Sequence, residues 1–153
     1  MRKILFLDVD GVLNSKETLQ RSTRGVIGVD PYLSIIVDRI VQATGAEVVL
    51  SSSWRHMGKG YEEINSIIPL IDKTGTTDCR IRGCEIYKWI QDNIPYDIRH
   101  DWNQFRYAIL DDDSDMLLWQ KDHFFQTTFD TGITEEIAAK VIEHLNEGTP
   151  GPM

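Results

Sequence analysis

Three clusters of polar residues in this chain each follow directly on a short apolar run. Ile4-Leu5-Phe6-Leu7 leads into Asp8-Val9-Asp10-Gly11-Val12-Leu13-Asn14, and Glu47-Val48-Val49-Leu50 leads into Ser51-Ser52-Ser53-Trp54-Arg55. Tyr107-Ala108-Ile109-Leu110 leads into Asp111-Asp112-Asp113-Ser114-Asp115. Such apolar runs read as strands buried on both faces, as in a parallel sheet. Carboxylates gathered from two strand ends repel one another unless a cation lies between them. Hard oxygen ligands with few other donors suit Mg²⁺, so the expected chemistry is metal-assisted. A turn explains the pair Asp8 and Asp10 taken alone, and helix capping explains one aspartate of the later cluster; neither explains both clusters. One serine of the triplet can cap a helix and bind an anion at the same time. Trp54 and Arg55 also read as local packing beside a surface cation, and Asn14 as orienting a flap or closing a turn. Trp89, Trp102 and Trp119 read as packing residues.

The elements that must position these clusters alternate along the chain. Residues 15–29 are polar, contain glycine and show no period, so they read as a loop or flap. Asp30-Pro31 is an N-cap followed by proline at the first helical position. Leu33, Ile36, Val37, Ile40 and Val41 then recur at helical spacing until Gly45. A helix is expected from Tyr61 to Ile68, and loop over residues 72–82. A further helix carries Ile86, Trp89 and Ile90 and ends before Pro95. A short helix is expected from Ser114 to Asp122 and a fourth strand from Phe124 to Phe129. Last comes a helix capped by Thr134 that buries Ile137, Val141, Ile142 and Leu145. This alternation predicts an α/β three-layer sandwich on a parallel Rossmann-like sheet, with its ligand site at the carboxyl ends of the strands.

Composition narrows the class. At 153 residues, with 41% apolar and 26% charged residues, the chain suits one domain. We expect that domain over residues 1–147 and a disordered tail over 148–153, where Gly, Pro and Thr offer little to pack. The net charge of −8 gives no general attraction to a phosphate backbone. Arg21, Arg24, Arg55 and Lys59 read either as a local basic patch or as scattered solvated cations. The apolar run after Met1 stops at Asp8, too short for a secretory leader, and no stretch approaches a membrane span. Cys79 and Cys84 are expected to be reduced thiols in a cytoplasmic protein. The four histidines lack ligand-like spacing, which argues against zinc.

The strand-end motifs resemble those of the haloacid dehalogenase (HAD) superfamily of phosphohydrolases. Asp8-Val9-Asp10-Gly11-Val12 resembles its first motif, Val49 to Arg55 its second, and Ile109 to Met116 its fourth. Asp-Gly-Val-Leu-Asn with Ser-Ser-Trp-Arg is most similar to the small HAD domains of RNA-repair (Swiss Army Knife) proteins. The resemblance runs from residue 3 to about residue 146. It implies a HAD-like fold and a nucleophilic Asp8 that forms an aspartyl-phosphate. It also implies Asp10 as the general acid and then base, and Ser52 or Ser53 as a hydrogen-bond donor to the phosphoryl group, with Ser51 an alternative. Mg²⁺ would be held by Asp8, the backbone of Asp10, and Asp111 or Asp112, with Asp115 further out. The third motif departs from the family pattern: no Lys-Pro pair is present, and Arg82 is the first choice ahead of Lys88 and Arg80. Segments 15–29 and 56–81 have no room for a large cap domain.

The expected activity is therefore a Mg²⁺-dependent phosphatase. An open site fits a nucleic-acid end or nucleotide phosphate, or a site closed by a second subunit in a homo-oligomer. A small phosphometabolite is the alternative substrate. A receiver-like phospho-acceptor domain is the alternative class, but Asp10 supplies an acid/base group that phosphoryl turnover needs.

Overall fold

The computed structural model describes residues 1–148. Five strands form one parallel sheet: β1 (Arg2–Leu7), β2 (Glu47–Leu50), β3 (Asp72–Lys73), β4 (Phe105–Asp111) and β5 (Phe124–Gln126). Their spatial order is β3-β2-β1-β4-β5. The chain moves outward from β1 through β2 to β3, then returns to the other side of β1 for β4. The order therefore reverses between β1 and β4, and the crevice at their carboxyl ends is where sheets of this kind bind ligands.

The helices are α1 (Pro31–Thr44), α2 (Gly60–Asn65), α3 (Arg82–Asn93), α4 (Tyr96–Arg99) and α5 (Glu135–Glu147). Asp30 caps α1 by accepting a hydrogen bond from the Tyr32 amide, and Gly45 ends it in the left-handed conformation at φ 71°. The strand period of two divides the core. Leu5 and Leu7 of β1 join Val48, Leu50, Ala108 and Leu110 under α1 and α5. Ile4 and Phe6 join Val49, Tyr107 and Ile109 under Ile86, Trp89 and Ile90 of α3. Phe6 is wholly buried and meets Trp89 and Tyr107 edge to face, with ring centroids 5.5 and 6.1 Å away. Truncating such a ring to alanine costs about 3–5 kcal/mol.

Several boundaries differ from the sequence expectation. The loop expected over residues 72–82 begins with an edge strand, because Asp72 and Lys73 pair with Val49 and Leu50. Two residues are too few to show a period. The helix expected from Ser114 to Asp122 is a bend followed by a 3-10 helix over Leu118–His123. Strand β5 stops at Gln126, where Thr127 to Gly132 turn back toward the first motif. The expected tail over residues 149–153 lies outside the described residues.

Cys79 and Cys84 are joined in a disulfide, which corrects the expectation of two free thiols. Arg80 takes a left-handed φ of 59°, and the loop it bends brings the two Cα atoms to 6.3 Å, within reach of a bridge. Among the described residues no helix is long and apolar enough to cross a membrane.

Candidate active site

The first cluster leaves β1 in a tight turn: the Val12 and Leu13 amides both donate to the Val9 carbonyl at 3.0 and 2.8 Å. Gly11 turns with φ 81°, and a Cβ there would collide with the Asp112 carboxylate. Glycine is thus required both for the bend and for the approach of the acidic cluster. Asp8 is buried, whereas Asp10 is exposed. Both carboxylate oxygens of Asp10 are nonetheless held. Oδ1 accepts from Asn14 Nδ2 at 2.9 Å and Oδ2 from Trp54 Nε1 at 3.2 Å. Asn14 also accepts from the Gly11 amide through its own Oδ1 at 2.9 Å. It thereby closes the turn and anchors Asp10 together.

Strand β4 delivers the second cluster beside the first. Leu7 pairs with Leu110, and the Asp8 amide donates to the Leu110 carbonyl at 3.0 Å, which sets Asp8 against Asp111. Carboxylate oxygens of Asp8, Asp111 and Asp112 lie within 4.8 Å of one another. Burial, reinforced by the Asp111 charge, pushes Asp8 well above the usual carboxylate range. Burial likewise pushes Asp111 up to about 6. Two buried carboxylates this close resist ionising together unless positive charge is added. An all-oxygen donor set with that unmet need fits a hard divalent cation. Asp115 stands outside the cluster; its Oδ2 accepts from the Arg82 amide at 2.9 Å and so docks the start of α3.

The serine triplet ends β2. Leu50 pairs with Leu7, so Ser51 follows at the level of Asp8, and its amide donates to the Leu7 carbonyl at 2.9 Å. Ser51 is fully buried, and its hydroxyl has no partner among the described residues. Ser52, also buried, uses Oγ to cap a 3-10 turn (Ser53–His56) by accepting from the Trp54 amide at 3.2 Å. Its own hydroxyl proton remains available. Ser53 is exposed and lines the neighbouring cavity.

Positive charge comes from α3. Arg82 Nη1 lies 3.6 Å from Asp8 Oδ1 and 3.5 Å from Asp111 Oδ2. Lys88, by contrast, pairs with Asp92 on the exposed side of the helix, and Arg80 is exposed in the loop ahead of it. Arg55 is not a surface cation. It is buried, donating to the Ser52 carbonyl and to Glu85 Oε2, both at 2.7 Å. Glu85 also takes Arg82 Nε on Oε1 at 3.2 Å, so one carboxylate bridges two arginines. Arg55 is thus not part of a surface basic patch, whereas Arg21, Arg24 and Lys59 are exposed, with Arg24 over the Trp54 ring.

Sequence reasoning passed over Glu85, although a signal was present. Residues 82, 85, 86, 89 and 90 fall on one helical stripe, so Arg82 and Glu85 occupy the face that buries Ile86, Trp89 and Ile90. An arginine and a glutamate on an apolar stripe must be paired, or they would not be buried. No local signal identifies Trp54 as a partner of Asp10, since the two lie 44 residues apart.

A cavity of about 570 Å³ opens beside the strand ends, between Ser53, Arg55, Thr77, Arg80, Arg82 and Asp115. The segment at residues 15–29 reaches Trp54 through Arg24. It is closed by a bridge between Arg21 and Ile27 and tied to α2 where Thr23 donates to Glu63 Oε1 through Oγ1 at 2.9 Å. Among the described residues no large cap covers the site.

A family model described as the HAD domain in Swiss Army Knife RNA repair proteins matches residues 4–138. That span contains all three polar clusters and all five strands but for Arg2 and Lys3 of β1, and the chain belongs to this family. No curated protein matches the chain.

Proposed function

We propose that this HAD-family domain is a Mg²⁺-dependent phosphoric monoester hydrolase that works through an aspartyl-phosphate on Asp8. The observation that carries the reading is the convergence on Asp8 of one guanidinium and two further carboxylates at the switch point of the sheet. Asp8, Asp111 and Asp112 are the side chains that would hold Mg²⁺, which supplies positive charge next to the phosphoryl oxygens.

The chain's own groups account for the remaining steps. Arg82 draws the phosphoryl group toward Asp8 and offsets the charge of both. An Asp8 oxygen bonds to phosphorus while the ester P–O bond breaks, its electrons staying on the leaving oxygen. Asp10 gives that oxygen its proton. Water then attacks phosphorus, Asp10 takes a proton from it, and the bond between phosphorus and Asp8 breaks to release phosphate and restore both aspartates. The Ser51 and Ser52 hydroxyls, buried at the end of β2, are positioned as donors to the phosphoryl oxygens.

For the substrate we favour a nucleic-acid end or nucleotide phosphate. The family's description supports it, as does the lack of a large cap among the described residues, which leaves room for a long leaving group. The test is turnover of p-nitrophenyl phosphate, nucleotides and 3′-phosphorylated oligonucleotides with Mg²⁺ or EDTA, with rapid quenching to trap label on Asp8. Mg²⁺-dependent release, with label on the Asp8 peptide, is the expected result. Full activity in EDTA, or label elsewhere, would overturn the reading.

A further inference from the structure

The group proposed to move the proton is the most exposed of the core aspartates, yet its two oxygens rest on donors that are themselves wholly buried. Asn14 and Trp54 have no accessible surface, and each gives one N–H to a different oxygen of Asp10. An indole nitrogen donates and never accepts, so the Trp54 bond has only one sense. Two donors on two oxygens fix the plane of a carboxyl group, which a single bond leaves free to rotate. Trp54 is itself held firmly. Its amide is capped by Ser52, and a Cβ on Gly60 would collide with its carbonyl, so the following helix packs tightly on it. From the flap, the Arg24 guanidinium lies 5.1 Å above the indole ring.

We propose that Trp54 is a positioning residue for Asp10: its indole N–H, with the Asn14 amide, sets the carboxyl plane so that the proton of Asp10 meets the leaving oxygen of the phosphoester. The inference rests on the reading of Asp10 as the acid/base group. In the step concerned, the O–H bond of Asp10 breaks as the leaving oxygen gains the proton, and the electrons of the broken P–O bond remain on that oxygen. Arg24 extends the contact from Trp54 to the flap.

The experiment exploits leaving-group chemistry. A nitrophenolate departs without a proton, whereas the alkoxide of a nucleoside monophosphate needs one. Trp54→Phe removes the N–H together with the five-membered ring, and the packing cost of the smaller side chain falls on both esters alike. The substitution should lower kcat/KM, which reads the steps up to formation of the aspartyl-phosphate, about 10-fold more for a nucleoside monophosphate than for p-nitrophenyl phosphate, a part of the roughly 10²–10⁴-fold that a whole general acid supplies, because Asp10 itself remains. An equal loss on both esters would make Trp54 a packing residue and overturn the proposal. No turnover of either ester by the wild type would instead remove the underlying assignment of Asp10. A second measurement does not depend on that variant folding. In ¹H–¹⁵N spectra of the wild type and Asp10→Ala, one of the four indole signals should move strongly and the others little. Four unmoved signals would show that the contact is absent in solution and sink the proposal.

Discussion

At the amino-terminal end of the sheet Arg2 and Glu47 form an ion pair 3.0 Å long, with side chains 41% and 42% exposed. At the carboxyl-terminal end Asp8, Arg82, Glu85 and Arg55 have side-chain exposures of 10%, 18%, 9% and 3%. Both ends join neighbouring elements through charge, but the energetics differ. An exposed pair exchanges solvation for a screened contact and is worth about 0–1 kcal/mol. Buried charges lose hydration worth several kcal/mol per ion and are tolerated only where every partner is present. Here the partners are incomplete: Asp8 and Asp111 still repel each other with Arg82 between them. Carboxylates buried together in this way beside one guanidinium are suited to a cation that adds positive charge.

The comparison can be broken most sharply at Asp8. Asp8→Asn should lower kcat by at least about 10³-fold, or about 4 kcal/mol of barrier. It should leave the metal-free protein as stable or more so, because a repelling charge is gone. Near wild-type turnover would place the nucleophile elsewhere. Glu85→Gln removes the charge shared by buried Arg55 and partly buried Arg82 and should cost about 3 kcal/mol of stability, read from the denaturant midpoint. Activity should fall with it as Arg82 loses its anchor. An unchanged midpoint would put this end of the sheet in the same class as the other.

Arg82→Ala should reduce kcat/KM about 10²-fold, the scale of one charged contact to a transition state. Lys88→Ala should do far less. The reverse order of effects would transfer the basic role to Lys88. The pH response follows from the raised carboxylates. Asp111, at about 6 against an ordinary 3.8, binds its proton more tightly folded than unfolded. The metal-free protein therefore loses stability as pH rises from about 4 through about 6, and Asp8, its carboxyl also raised, adds to that loss. Mg²⁺ binds the deprotonated carboxylates, so its effect on Tm should be small near pH 5 and reach a few degrees near pH 8. A Mg²⁺ effect independent of pH would separate the metal from this cluster. Arg2→Ala should have the smallest effect, under about 1 kcal/mol of stability with no change in turnover. A larger loss would mean the exposed pair is not ordinary surface chemistry.

Much of this site was legible along the chain because its main signals are local. Apolar runs ending in Asp8, Ser51 and Asp111 state both strand and strand end within a few residues, and a parallel sheet then brings those ends together. The Asp30-Pro31 start and Gly45 stop of α1 are equally local. Edge strand β3 and the 3-10 helix at Leu118–His123 carried no such signal, being too short or held by tertiary contacts. The fate of Arg55 could not be read at all: in sequence it follows a tryptophan like any surface cation, and the carboxylate that neutralises it once buried, Glu85, lies 30 residues away.

The sequence by itself determined the α/β order, the acidic strand ends and the nature of the donor atoms, since each depends on residue type and short-range period. Tertiary structure alone decided which groups meet. Strand register put Ser51 level with Asp8, the docking of α3 carried Arg82 rather than Lys88 to the carboxylates, and the turn after β2 aimed the Trp54 N–H at Asp10. These contacts are set by the packing of distant segments against one sheet, and a hydrogen bond that depends on a few tenths of an ångström leaves no periodic trace in the chain that makes it.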